Sequence, residues 1–305
     1  MLTVDDFKFG VCDVDKAYKF YFQWLLGKLH KIFKWNNVPE TIDITYLNDQ
    51  LFLNGFACFS SELDNSLRVF TGGLGGKPDI YYKPTVFTVA NPVAGSAELK
   101  IGEDCIMMFN TKNDAVYNYL PFTHGLYGLI HQTATLLADN IVSINTAQIN
   151  TRVTAVVTAT DPVTRDSAEI YLKRLYQGKP WTVASEDVMS EIKVNPLSTS
   201  SSSAYIAQLI ELHQYIIADF FNAVGIKTNP VNKKERLITG EIDSVDDYLA
   251  VNLTEMLESR KTAVDKINAK YGTNITVELC EELKPVIENA VNPESNDKEV
   301  NNNDE

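Results

Sequence analysis

Cysteine is scarce and unpatterned in this chain: Cys12, Cys58, Cys105 and Cys280 lie far apart, with no CxxC pair and no zinc-ligand spacing. That excludes a disulfide framework and predicts buried free thiols in a reducing compartment. Histidine numbers only 4. His124 and His131 could share a helix face, but no carboxylate completes a metal set at helical spacing, so neither a metal nor a cofactor is expected. HExxH, GxSxG and the dinucleotide fingerprint are all missing, and no catalytic activity is expected. TGGLGGKP (Thr71 to Pro78) resembles a phosphate loop only superficially. Thr71 stands where the first glycine is needed and Pro78 where a hydroxyl must hold magnesium, so a glycine-rich turn or hairpin is expected. No run approaches the ~18 apolar residues of a membrane span. The opening stretch, MLTVDDFKFGVCDVDK, is acidic without a signal-peptide core, which predicts a protein made in the cytoplasm. Positive charge is also short: 27 basic against 40 acidic residues, net -13. Grip on nucleic acid by phosphate neutralisation over the whole surface is not expected, although enclosing DNA without gripping it is compatible.

What is present is a chain of 305 residues, 45% hydrophobic, long enough for a real core and two or three subdomains. Its organising stretch runs from Ser202 to Asp247. SSAYIAQLIELHQYIIADFFNAVG is a helix pattern bounded by serine and by Gly225. At about 100° per residue, Gln208, Glu211, Tyr215, Asp219 and Asn222 fall on one narrow seam. Leu209, Leu212, Ile216, Ile217, Phe220, Phe221 and Val224 cover about half the circumference, wider than an ordinary surface stripe of ~100°. Such a helix wants apolar neighbours on both flanks and one thin wet strip. A long loop with Lys233, Lys234 and Arg236 is expected to follow, without clear secondary structure.

Along the chain, residues 13–35 read as a helix dense in aromatics, with Lys16, Lys19, Lys28, Lys31 and Lys34 between them. The lysines are read as its solvated side rather than as a nucleic-acid or membrane surface. From Ile42 to Met108, LFLNGFACF, VFTGGL, DIYYKPTVFTV and CIMMFN suggest strands of a small mixed domain. A second long helix opens at Pro121 to Thr123, with Leu126, Ile130, Leu137, Ile141 and Ile144 on one side. TRVTAVVTAT, a short helix (Ser167 to Tyr176) and PWTVAS form a compact α/β unit between the two long helices. NPLSTSSSS reads as a connector. A last helix is expected from about Asp246 to Tyr271, stopped by Gly272 and followed by the strand NITVEL. The end from Asn292 has the composition of a disordered acidic tail.

FKWNNVPETID, TVFTVANPV, LKRLYQGKPWTVAS, VGIKTNPVNKKERLITGEI and SRKTAVDKINAKYGTNITV occur in that order between Phe33 and Val277. Together they resemble the portal proteins of the small Bacillus-type short-tailed phages, the Picovirinae, also called upper collar or head-tail connector proteins. The resemblance implies an α+β, ring-forming portal fold, with long helices forming a channel stem, an inserted small α/β clip and a mixed α/β wing. It places the wing at 1–122, stem helices at 123–150 and 203–226, and the clip at 151–202. A tunnel loop would span 227–247, the rest of the wing and crown 248–291, and a disordered tail 292–305. It implies a dodecamer at one capsid vertex, with a channel for double-stranded DNA in packaging, retention and ejection. The implied partners are capsid and scaffold proteins, a packaging ATPase and the lower collar or tail. The seam would face the lumen, and Lys227, Lys233, Lys234 and Arg236 would sit on the tunnel loop. Gln208 stands where family members carry a lumen lysine, and Asp5 and Asp6 where they carry a basic arm that contacts packaging RNA. Lumen lysine rings and an RNA partner are therefore not carried over. Another collar or tail structural protein of the virion is the alternative reading.

Overall fold

The structure, a computed structural model, describes residues 13–112, 114, 125–152, 155–158, 193–196, 203–226, 228 and 239–281. Side chains are described for these except in 149–158, 193–196, 203 and 239–251. The architecture is α+β, with long helices and small antiparallel sheets. The chain forms two compact units, one of Met1–Tyr18 with Leu136–Ile216, the other of Lys19–Thr135 with Ile217–Glu305.

Helix α1 (Val14–Leu29) opens on Asp13, whose carboxylate accepts from the Asp15 amide at 3.0 Å. Leu25 and Leu29 are buried; Lys28 lies 5.6 Å from the centre of the Trp24 ring. The helix stops well short of the expected Trp35. Phe33–Asn36 is instead strand β1, paired antiparallel with β10 (Thr276–Leu279), Phe33 opposite Leu279 and Asn36 opposite Thr276. The alternation of buried Phe33, exposed Lys34 and half-buried Trp35 is a strand period, which the helix reading overlooked.

Helix α2 (Ile44–Asp49) is capped by Asp43, which accepts from the amides of Thr45 and Tyr46. It runs into a π-helical turn, Gln50–Asn54, that buries Leu51 and Phe52 and ends at Gly55 with φ 81°. The expected strand LFLNGFACF is therefore half helix, and only Phe56–Ser60 is strand β2. Strands β3 (Arg68–Phe70) and β7 (Ile106–Phe109) flank β2 in the order β3-β2-β7. Strands β4 (Gly72–Gly75), β5 (Val86–Asn91) and β6 (Gly95–Lys100) form a second sheet in sequence order.

Both faces of β2 are buried from Ala57 to Ser60, as expected for a strand covered on each side. On one side Cys58, Phe70, Phe87, Val89, Leu99, Cys105 and Met107 form a common core of the two sheets. On the other, helix α5 (Thr239–Tyr271) packs on β7. The glycine-rich stretch is β4 and its turn. A side chain at Gly72 would stand 2.0 Å from the Thr88 carbonyl, so glycine is needed there to pair with β5. Cys58 and Cys105 are buried and free; Cys280 is half-buried and free. DIYYK is not a strand: Asp79 Oδ1 accepts from the amides of Tyr81 and Lys83, closing a turn with Tyr82 at φ 58°.

Helix α3 is Tyr127–Arg152 and helix α4 is Ser203–Val224. Ile130, Leu137 and Ile144 of α3 are buried as the pattern predicts; His131 stacks on Tyr127 with ring centres 5.8 Å apart. Strand β8 (Ala155–Thr158) pairs with β9 (Lys193–Pro196), so Asn195 and Pro196 lie in a strand rather than a connector. The expected helix 167–176, PWTVAS, His124, the serine run before Ser203 and the tail from 292 fall outside the described residues. Helix α5 begins at Thr239, ahead of the expected Asp246, and takes in the far part of the presumed loop.

Candidate functional site

Helix α4 stops where Gly225, at φ 103°, donates to Phe221 O at 3.1 Å and Ile226 donates to the same carbonyl at 2.8 Å. This is a left-handed C-terminal cap. Of the seam residues, Gln208, Glu211, Tyr215 and Asp219 are exposed. Asn222 is only half exposed: its Oδ1 accepts from the Thr228 amide at 3.0 Å and lies 3.3 Å from the Thr228 hydroxyl. That hydroxyl also donates to Ala218 O, so Asn222 fixes the exit from the helix.

The apolar flanks differ along α4. Ala218, Phe220 and Val224 are buried, and Phe221 meets Trp24 edge to face at 6.4 Å. Towards the start, Leu212 and Tyr205, on one side of the polar strip, are 46% and 47% exposed, and Ile210, towards the back of the helix, is 44% exposed. Within the unit that holds Leu136–Ile216, His213 Nδ1 approaches Asn140 Oδ1 at 3.2 Å and links α4 to α3. Burial pushes the His213 pKa below its ordinary value, favouring the neutral ring.

Sequence reasoning missed a polar joint in the other unit. Arg260 on α5 is fully buried. Its Nη1 donates to Met256 O at 3.0 Å and Asn110 O at 3.4 Å; its Nη2 donates to Asn110 Oδ1 at 2.8 Å. The guanidinium lies 4.0 Å from the Phe33 ring centre and 5.3 Å from that of Phe52. Burial pulls its pKa down to about 9, and the charge of Asp114 opposes the shift; the group stays charged at neutral pH. The signal was available, because Arg260 falls at helical spacing among Met256, Ala263, Val264 and Ile267, on the apolar face.

Buried Asp114 extends the joint. Its Oδ2 accepts from the amide and hydroxyl of Thr111 at 3.0 and 2.8 Å, its Oδ1 from the Gly125 amide at 2.9 Å. Leu126 N donates to Phe52 O at 2.7 Å, so the residues just before α3 are tied to the π-helical turn. Gly55 and Gly125 meet back to back: a Cβ on Gly55 would stand 2.5 Å from Gly125 N.

The family model described as Phage Connector (GP10) matches residues 11–284, most of the chain. This chain belongs to the phage connector family. It is thus a phage portal, or head-tail connector, protein. Similar solved structures include a chain of the portal and tail of native bacteriophage P68, at 16% identity with 94% of each chain covered and a TM-score of 0.46. An HK97-family phage portal protein from Corynebacterium diphtheriae matches at 10% identity, covering 88% of this chain and 93% of that one, with a TM-score of 0.42. A chain of the neck of an empty GTA particle matches at 11% identity, covering 90% and 82%, with a TM-score of 0.36. Among the expected connector residues, Lys227, Lys233, Lys234 and Arg236 fall outside the described residues. No helix among the described residues is long and apolar enough to cross a membrane.

Proposed function

We propose that this connector closes into a dodecameric ring at one capsid vertex, with α4 lining an axial channel for double-stranded DNA. The observation that carries the reading is on α4 itself: exposed Gln208, Glu211, Tyr215 and Asp219 form one polar strip, while apolar Leu212 beside it and Ile210 towards the back of the helix are left open. Burying such surface against copies on either side contributes about 25 cal/mol per Å² of apolar area, and a closed ring supplies a neighbour on both sides. The polar strip is then left to face the lumen. Glu211 and Asp219 repel the duplex and keep it centred, since a wall without fixed cations creates no deep well along the path. Lys227, Lys233, Lys234 and Arg236 supply brief phosphate contacts that carry no sequence information. Chain segments 1–122 and 248–291 serve as wing and crown, and 151–202 as the clip outside the head. Partners are capsid and scaffold proteins, a separate packaging ATPase that does the chemistry, and lower collar or tail proteins.

Negative-stain microscopy of the purified protein tests the ring. Closed dodecamers with a central hole are expected; monomers or open filaments would move a collar or tail role ahead. For the loop, replacing Lys233, Lys234 and Arg236 by glutamine is expected to leave rings intact and to yield heads that lose packaged DNA. Full retention of the genome by that variant, measured as nuclease-protected DNA per head, would remove the loop from the mechanism.

A further inference from the structure

A cleft of about 500 Å³ opens on the unit that contains α5 and β7. Its floor includes Ile106, Met107 and Ala263, and its rim carries Lys83, Lys112 and Lys266. All three lysines are exposed. Lys112 pairs with Glu258 at 3.3 Å, while Lys83 and Lys266 make no ion pair among the described residues. Beyond Lys83 the rim continues into the Asp79 turn, which holds Ile80, Tyr81 and Tyr82 at 84%, 69% and 55% exposure. In a chain of net charge -13, this combination of cations, apolar floor and displayed aromatics calls for an acidic peptide with apolar anchors.

We propose that the cleft is filled by residues 282–305 of the same protomer. Leu279 pairs with Phe33, Phe33 stacks on Arg260, and Arg260 adjoins Ser259 in the cleft wall. Glu281, the last described residue, stands two positions beyond Leu279, and the 24 residues that follow it extend to at most ~80 Å at ~3.3 Å each. Leu283, Val286, Ile287, Ala290 and Val291 recur at helical spacing, a stripe that matches the apolar floor. Pro285 stands early enough to fit a first turn. Residues 282–305 carry seven carboxylates against two lysines, net -5, so the segment complements the rim and its acidic end trails past the lysines.

Zero-length carbodiimide cross-linking of the full chain, followed by peptide mapping, tests this. Light and heavy-nitrogen chains are mixed in denaturant and refolded together, so that any assembly holds both isotopes and interchain links show as mixed mass. Links from Lys83 or Lys266 to Glu282 or Glu288 are expected, within one isotope class only. The full-length double variant Leu283→Asp/Ile287→Asp should lower their yield about tenfold or more, since each lost anchor weakens docking. It should also raise hydrogen exchange in residues 106–109 and 259–266. Absence of those links, links of mixed isotope from a neighbouring copy's tail, or unchanged yield and exchange in the double variant would each overturn the proposal.

Discussion

Replacing Arg260 by alanine is expected to destabilise the protein by about 3–5 kcal/mol, read as a lower midpoint of urea unfolding. The side chain is fully buried and gives hydrogen bonds to Met256 O, Asn110 O and Asn110 Oδ1. Its removal strands those acceptors and leaves the buried Asp114 carboxylate without the charge that faces it. It also opens a void beside Phe33 and Phe52, whose rings now pack on the guanidinium. Arg260→Met keeps much of the volume and should lose less. Arg260→Lys should recover little, because an ammonium has no planar fork to lie on Phe33 while reaching two Asn110 oxygens. Equal stability of the alanine variant and the parent would show that the joint carries no net stabilisation.

That joint was hard to read for a physical reason: apart from Met256 O, one helical turn back, its partners are distant in sequence. Arg260 and Asn110 lie 150 residues apart, and β1 and β10 meet at a separation of 242 in the Asn36–Glu278 bond. Helix patterns are local, so α4 and its Gly225 stop, the Gly272 stop and the buried stripe of α3 were all legible. Strand pairing is not local, and FKWN looked like a continuation of a helix until Thr276–Leu279 claimed it. DIYYK had the aromatic content of a strand, but one carboxylate, Asp79, closes it into a turn. Within the candidate site the polar strip of α4 followed from periodicity alone. Asn222 did not, because its position on the wheel says nothing of the Thr228 amide that comes back to it. A charged residue in an apolar stripe, as at Arg260, is the pattern that deserved to be read as a buried anchor.

Gly125→Ala should be nearly as damaging as the loss of Arg260, at about 3 kcal/mol. At φ 68° an L side chain is strained, and its Cβ would stand 2.7 Å from Gly55 N, 2.8 Å from Phe52 O and 2.9 Å from Leu53 O. Those are backbone atoms, which cannot turn aside as a flexible side chain would. The segment must instead back away, which stretches the Gly125 bond to Asp114 and the Leu126 bond to Phe52. Three residues further on, Gly128 lies inside α3 with open space where a Cβ would go, and Gly27 in α1 is similar. Alanine at either should stabilise by about 0.5–1 kcal/mol, by raising helix propensity and restricting the unfolded chain. Opposite signs at Gly125 and Gly128, measured in the same thermal melt, would place the requirement at the contact with Gly55 rather than in the helix. Because Gly125 and Leu126 lead straight into α3, a loosened joint frees the start of a proposed stem helix. Ring yield should therefore fall in Gly125→Ala and hold in Gly128→Ala, even at temperatures where both chains stay folded.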